Sequence, residues 1–148
     1  MLNNRSVPTN TLLPHVAYRD VAQAIEWLAR VFGFVEHYRY GDPQAPSGAQ
    51  MHFGDAWIMV HGAREHTKSP AVTGGGTQML TIFVDDVERQ YAKVKAAGAI
   101  IWEELQTTIY GEKQFGVEDL DGHLWLFSQH ALDISPEEWG ATVVNPLR

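Results

Sequence analysis

Apolar and polar positions alternate along several short segments of the chain, and this period of two predicts β-strands. The clearest case lies within Thr107–His130. An extended run, Gln114–Glu118, is followed by Asp119–Gly122, whose residue types favour a tight turn. The apolar strand His123–Ser128 comes next. This pattern predicts a β-hairpin.

A shorter hairpin of the same kind occurs earlier in the chain. Its predicted strands, Ala49–Phe53 and Ala56–His61, flank the turn Gly54-Asp55. Each hairpin follows a strand, an amphipathic helix and a further strand, so the chain resembles one unit built twice. We expect the two units to cover each other's apolar surfaces.

In the first half, the predicted strand Thr11–Tyr18 contains Pro14, which cannot donate to a strand ladder and therefore favours an edge position. Asp20 is a suitable helix N-cap, and apolar residues then recur at three- and four-residue spacing until Gly33 ends the helix. Phe34–Tyr40 is the next predicted strand.

The second half repeats this order. Gln78–Val84 is a predicted strand, Asp86 begins a helix that Gly98 ends, and Ala99–Glu103 is a further strand. Segments rich in glycine, proline or polar residues predict loops. These loops are Gly41–Gly48, Gly62–Gly76 and Glu104–Gly111.

The patterns predict an α+β protein in which paired βαβββ units form a curved, eight-stranded mixed sheet with the helices outside. A cleft between the units is the expected ligand site. We expect one domain at 11–130, made of units 11–61 and 77–130 joined by a linker at 62–76. Residues 1–10 form an arm, and 131–148 form a tail with a short helix that begins near Ser135-Pro136.

Composition narrows the possible functions of this 148-residue chain. The net charge of −7 and the lack of a Lys/Arg cluster argue against a nucleic-acid partner. No apolar run approaches the ~20 residues that span a bilayer, and the first residues lack the apolar core of a signal peptide, so we expect a cytoplasmic protein without a membrane partner. The absence of cysteine excludes disulfides and thiolate metal sites.

Three segments carry a resemblance to a known family: LLPHVAYRDVAQAIEWLARVFGFVEHYRY, MLTIFVDDVERQYAKVKAAGA and YGEKQFGVEDLDGHLWLFSQH. Arranged as paired βαβββ units, they resemble the vicinal oxygen chelate superfamily. That superfamily includes glyoxalase I, fosfomycin-resistance transferases, extradiol dioxygenases, methylmalonyl-CoA epimerase and metal-free bleomycin-resistance binding proteins. The resemblance covers residues 11–130 and implies the fold and a homodimer. It leaves the activity open, because one scaffold carries different chemistries.

The resemblance also implies where a metal would bind. Metal-dependent members place their ligands on the first and last strands of each unit, facing the cleft. The corresponding positions here are Leu13, Met59, Met79 and Leu126. None supplies the imidazole, amide or carboxylate that a hard divalent ion needs. A register shift of one residue would instead present Pro14, Val60, Gln78 and Trp125, which is no better as a ligand set. We therefore expect no cofactor, with a divalent metal ion as the alternative.

Polar and aromatic residues near these positions are the candidate ligand contacts. His15 and His61 can act as a general base, bind a carboxylate or carbonyl, or form a displaced metal site with His52; alternatively they are space-filling histidines. Trp57 shares the face of Met59 and can form an apolar or cation-binding wall.

Other residues have structural interpretations of equal or greater weight. Tyr110 either closes over the cleft or serves only the geometry of its loop. Gln50 shares a strand face with His52, and the simpler interpretation of that face is solvent contact. Turn chemistry accounts for Asp119 and Asp121. Two residues opposite Leu126 are expected in the core: Trp125 and Phe127.

The sequence therefore predicts a bleomycin-resistance-like protein that binds a small molecule without the usual metal site. The predicted ligand-binding residues are His15, Trp57, Met59, His61, Met79, Tyr110 and Leu126. No catalytic residue is assigned. The alternative is an enzyme of the glyoxalase, epimerase, lyase or dioxygenase type that uses a non-standard metal site or metal-free acid/base chemistry. A third possibility is a partner-binding module that uses Trp139.

Overall fold

A computed structural model describes residues 4–6 and 12–147 of the chain. Most of the expected arm at 1–10 and the first residue of the predicted strand Thr11–Tyr18 lie outside these residues. The chain divides into two compact units. Unit 1 comprises Met1–Thr77 and Asp119–His123, and unit 2 comprises Gln78–Glu118 and Leu124–Arg148.

Unit 1 contains the first βαβββ repeat. Its elements are β1 (His15–Tyr18), α1 (Val21–Trp27), β2 (Val35–Asp42), β3 (Ala45–Phe53), β4 (Ala56–Gly62) and α2 (Pro70–Thr73). A π-helical turn, Leu28–Phe32, continues α1 and ends at Gly33, which has the left-handed φ of 97°. The strand order is β1-β4-β3-β2, so β1 lies at an edge, as Pro14 predicted.

Unit 2 repeats this arrangement. Its elements are β5 (Met79–Phe83), α3 (Val87–Ala96), β6 (Ile101–Thr107), β7 (Glu112–Glu118), β8 (Leu124–His130) and a 3₁₀ helix (Pro136–Trp139). The strand order is β5-β8-β7-β6, with β5 parallel to β8 and the other pairs antiparallel. The predicted α+β class and the paired βαβββ units are confirmed, with the eight strands arranged in two four-stranded mixed sheets.

Local sequence explains where the helices begin. The carboxylate of Asp20 accepts a hydrogen bond from the Gln23 backbone N–H at 3.1 Å. Asp86 does the same for Arg89, also at 3.1 Å. In both helices an orphan donor of the first turn is therefore satisfied by a side chain.

Two predicted loops are wrong because their strands are longer than expected. β2 continues to Asp42 and β3 begins at Ala45, so only a two-residue turn separates them within Gly41–Gly48. Pro46 is tolerated in β3 because it lies opposite Gly41, next to a register shift. β6 likewise extends to Thr107, into the expected loop Glu104–Gly111. The expected linker 62–76 contains the short helix α2.

The helices α1 and α3 each pack against the sheet of their own unit. In unit 1, α1 packs against β3 and β4 and buries Met51, Ile58 and Val60 on that face. In unit 2, α3 contacts β6, β7 and β8. Trp125 and Phe127 are buried there, as predicted, with at most 1% exposure. The candidate ligand contacts are therefore the residues on the opposite face of each sheet.

Candidate functional site

Unit 1 presents a sheet face rich in histidine on the side opposite α1. Side chains alternate across a strand, so β3 and β4 direct one set of residues toward α1 and the other set away from it. The strand registers align His15 with Met59, Gln50 with Met59, and His52 with Trp57. We call this surface the histidine face; it consists of His15, His37, Tyr38, Gln50, His52, Trp57, Met59 and His61.

The centre of the histidine face is a buried hydrogen-bond array around Gln50, which is 0% exposed. Its Oε1 lies 2.7 Å from His37 Nδ1, and its Nε2 donates to Met59 Sδ at 3.6 Å. The hydroxyl of Tyr38 also donates to Met59 Sδ, at 3.9 Å. Because an amide oxygen only accepts, His37 Nδ1 carries the proton and Nε2 is the acceptor of the neutral ring. The array therefore fixes both the Gln50 amide and the His37 ring.

One end of the histidine face is aromatic. The rings of His52 and Trp57 stack at 4.4 Å between centroids with 24° between their planes. The rings of His37 and Trp57 lie nearly perpendicular, with 5.4 Å between centroids and 81° between their planes. Trp57 itself is half-buried. This arrangement holds the indole rigidly and leaves part of its surface accessible, as a wall for an apolar or planar ligand requires.

The other end holds the pair His15 and His61, whose ring centroids are 5.6 Å apart. His61 is 2% exposed, and its Nδ1 donates to the carbonyl of Gly62 at 2.7 Å. In the neutral ring, Nε2 is then an acceptor. Burial lowers the pKa of His15 below its ordinary value, and the electrostatic effects of His61 and Arg64 lower it further. His15 is therefore neutral at pH 7.

The structure thus places four of the predicted ligand residues, His15, Trp57, Met59 and His61, on one face. Three others belong to unit 2. Met79 is 52% exposed, Leu126 is 8% exposed and Tyr110 is 38% exposed. The Tyr110 hydroxyl donates to Gln114 Oε1 at 3.4 Å, and its ring meets Trp139 edge-on at 5.8 Å. Participation of these three residues in a ligand site stays a prediction.

Strand pairing supports the internal equivalence on which the metal positions depend. His15 aligns with Met59 in unit 1, and Thr81 aligns with Leu126 in unit 2. Met59 and Leu126 therefore occupy corresponding positions in the two repeats. Neither residue fits a hard divalent ion, because Leu126 has no lone pair and the Met59 sulfur already accepts bonds from Tyr38 and Gln50. Residues 4–6 and 12–147 contain no group of three or more His, Cys, Asp or Glu arranged to hold a metal.

Sequence reasoning missed four members of the histidine face. The solvent-contact interpretation is wrong for Gln50, which is fully buried, whereas His52 is half-buried and stacks on Trp57. His37 and Tyr38 were not identified because a register shift between Glu36 and Tyr38 interrupts the alternation of β2. The sequence signal available for His37 and Tyr38 was their position in the predicted strand just before the first hairpin.

A match to a protein-family model establishes the family of the chain. The model of the Glyoxalase/Bleomycin resistance protein/Dioxygenase superfamily matches residues 12–127. The chain belongs to this superfamily. The resemblance found in the sequence is thereby confirmed. None of the helices within the described residues is both long and apolar enough to cross a membrane.

Several solved structures share this fold. TioX from Micromonospora sp. ML1 is 31% identical, covers 85% of this chain and 100% of its own, and has a TM-score of 0.69. TnmS3, an antibiotic binding protein from a Streptomyces species, is 17% identical, covers 83% and 97%, and has a TM-score of 0.67. The fosfomycin resistance protein FosX from Listeria monocytogenes is 14% identical, covers 88% and 97%, and has a TM-score of 0.62.

A curated relative from Mycobacterium tuberculosis is an uncharacterized protein. It is 25% identical over 135 residues, which span 86% of this chain and 78% of the relative. The superfamily relationship therefore extends over most of the chain, and the choice of activity depends on the residues of the site.

Proposed function

We propose that this superfamily member binds an organic small molecule on the histidine face without a metal ion. The observation that carries the proposal is the stacked pair His52–Trp57 beside the buried Gln50 array. A rigid aromatic wall next to a few fixed polar groups is the usual composition of a small-molecule site. The antibiotic-binding description of TnmS3 supports a binding role within this fold.

The geometry favours a planar, partly apolar ligand. One side of the Trp57 indole is stacked on His52, and the ring of His37 contacts the indole nearly at a right angle. A flat ligand ring can use the accessible part of the indole, and such aromatic contacts contribute about 0.5–1.5 kcal/mol beyond the burial of area. The neighbouring imidazoles supply donors and acceptors that orient the ligand. Binding alone then sequesters the molecule, with no bond made or broken.

The proposal is tested by measuring thermal stabilisation of protein dialysed against EDTA with a panel of planar aromatic compounds that includes 2-naphthamide. A ligand at a hundredfold excess over its Kd stabilises the folded state by about 2.7 kcal/mol, which raises Tm. We expect Trp57→Leu to weaken binding at least tenfold. Trp27→Leu is the matched control, because Trp27 is also half-buried but lies on α1, where its ring packs against Phe32.

Three results would contradict metal-free binding on the histidine face. The panel could leave Tm unchanged, Trp57→Leu could bind as tightly as the unmodified chain, or stabilisation could occur only after a divalent metal ion is added. Any of these results would show that the stacked pair does not bind the ligand or that binding requires a metal ion.

A metal-free acid/base enzyme is the second candidate, and one observation favours it. The hydrogen bond from His61 Nδ1 to Gly62 leaves Nε2 as a fixed base beside the neutral His15. An enzyme of the epimerase or lyase type would exchange a proton on its bound molecule with solvent or would consume that molecule. NMR of a bound compound incubated with the protein in D₂O separates the candidates, since a sequestering protein returns the compound unchanged.

A further inference from the structure

The end of the histidine face near β1 concentrates groups that can donate a proton or carry positive charge. His15 and His61 lie with their ring centroids 5.6 Å apart. Arg64, in the loop after β4, donates through Nη2 to the hydroxyl of Tyr40 at 3.3 Å. Arg64 and His61 are also the two charged groups whose fields act on His15. In a chain with a net charge of −7, Arg64 places a fixed positive charge beside these two imidazoles.

Among the described residues, the charges that act on His15 are those of His61 and Arg64, with no carboxylate among them. β4 contributes Met59 and His61, and β3 presents Gly48 opposite His61. The loop after β4 also carries three further exposed titratable residues, and the charges of the acidic and the basic one offset each other. These residues are Glu65, His66 and Lys68.

Electrostatics decide between a cation and an anion at this position. Two imidazoles alone can hold a transition metal, but the guanidinium of Arg64 repels a cation there. The same guanidinium attracts an anion and matches the planar fork of a carboxylate. Each imidazole becomes a donor on both nitrogens when it takes up a proton. The cluster is therefore better suited to an acidic group than to a metal ion.

We propose that His15, His61 and Arg64 form a subsite for the carboxylate of an aromatic acid that binds on the histidine face. This inference rests on the proposed binding function and adds the chemical class of the ligand. The carboxylate pairs with Arg64 and favours the protonated form of His15. Binding is therefore coupled to proton uptake, which makes affinity depend on pH.

The test compares two ligands that differ in charge and share one ring: 2-naphthoate and 2-naphthamide. Isothermal titration of the EDTA-dialysed, full-length protein gives the Kd of each at about pH 6 and about pH 8. A carboxylic acid with a pKa of about 4 stays ionised across this range, so a change in its affinity reports the protein. We expect the acid to bind at least tenfold tighter than the amide at the lower pH. This preference should fall at least threefold at the higher pH.

Proton uptake is measured in the same experiment by repeating the titration in buffers of different ionisation enthalpy. We expect net uptake with the acid and none with the amide. His15→Gln and Arg64→Gln should each reduce the preference for the acid, and Arg64→Gln should leave the Kd of the amide within twofold. His66→Gln, an exposed histidine in the same loop as Arg64, is the matched control and should retain the full preference.

The outcomes separate this inference from the proposed function. If the amide binds and the acid shows no preference at either pH, the subsite is overturned while binding on the histidine face stands. If His66→Gln loses the preference as fully as His15→Gln, the subsite is also overturned, because the effect then belongs to general surface charge. If neither compound binds, the proposed function fails and the inference fails with it.

Discussion

Gly48 shows how a single residue shapes the histidine face. It lies opposite His61 in the strand register, and a Cβ at this position would collide with the ring and hydroxyl of Tyr40. The missing side chain therefore lets Tyr40 lie across β3, where its hydroxyl accepts the hydrogen bond from Arg64. A glycine in a strand commonly marks such a close approach.

We predict that Gly48→Ala lowers the free energy of unfolding by about 1–3 kcal/mol, because the added methyl group forces Tyr40 to move. The cost should largely disappear in a Tyr40→Ala background, which a double-mutant cycle in urea measures. Gly62→Ala is the control, since a Cβ at Gly62 meets nothing within 4 Å. Equal costs of Gly48→Ala in both backgrounds would show that the tyrosine is not the obstacle.

At the residue scale, the sequence predicted which side chains share a face but not which face is covered. Alternation alone grouped Trp57, Met59 and His61 correctly. It also grouped Gln50 with His52, yet it could not place that pair, because two-residue periodicity is the same on either side of a sheet. Ring contacts place it: Phe32, in the helical turn after α1, contacts Phe34, and Phe34 contacts Phe53, which lies on the face opposite Gln50.

The turn that begins at Asp119 makes three short, largely buried hydrogen bonds within unit 1. Asp119 Oδ2 accepts from the Tyr18 hydroxyl at 2.6 Å, and Asp121 Oδ2 accepts from the Ser69 hydroxyl at 2.6 Å and from the Arg19 backbone N–H at 2.8 Å. Burial raises the pKa of Tyr18 well above its ordinary value, and the negative charge of Asp119 raises it further. Turn chemistry accounts for the presence of aspartates here, but not for these contacts.

Asp121 links this element to acid stability. Burial alone would raise the pKa of its carboxyl, but hydrogen bonds from Ser69 and Arg19 outweigh that effect and lower the pKa below the ordinary 3.8. A carboxyl with a lowered folded-state pKa stabilises the fold above the unfolded-state pKa. That contribution is lost as pH falls through the folded-state value.

We therefore predict that Asp121→Asn lowers the free energy of unfolding by about 1–3 kcal/mol at neutral pH, since charge-assisted hydrogen bonds are weakened. The loss of stability on acidification below about pH 4 should also be shallower in this variant than in the unmodified chain. Urea unfolding across that pH range measures both effects. The exposed Asp85, replaced by Asn, is the control. Parallel pH profiles for Asp121→Asn and the unmodified chain would exclude Asp121 as the source.

At the element scale, positions with a strong local cause were predicted well. The caps at Asp20 and Asp86 and the turn at Gly54-Asp55 depend on neighbouring residues only. Strand ends were predicted poorly at Gly41–Gly48, because Pro46 and the glycines suggest a loop unless the register shift beside Gly41 is known. Strand length depends on the partner strand, which local sequence does not specify.

At the scale of the whole molecule, the repeated βαβββ order was the most informative signal in the sequence. It predicted two units of the same topology, and the equivalent pairs His15–Met59 and Thr81–Leu126 confirm that the repeats align. The same alignment identified the positions at which metal-dependent relatives carry ligands. The homodimer implied by the resemblance stays a prediction, which sedimentation equilibrium can test.

Superfamily membership does not select between binding and catalysis, because the scaffold hosts both. The proposal of metal-free binding depends on a few side chains of unit 1. The Met59 sulfur accepts hydrogen bonds from Tyr38 and Gln50, and two histidines contact the indole of Trp57. Those contacts involve β2, β3 and β4 together, so no single segment of sequence reveals them. They depend on the register in which the three strands pair.

The most direct test of metal-free binding on the histidine face is an NMR titration of uniformly ¹⁵N-labelled, EDTA-dialysed protein with 2-naphthamide. The side-chain amide of Gln50 and the indole N–H of Trp57 report from the two adjoining parts of the proposed site. We predict that both signals shift and saturate with one Kd in the absence of metal. Shifts confined to signals outside the histidine face, or shifts of these two signals only after a divalent metal is added, would contradict the account.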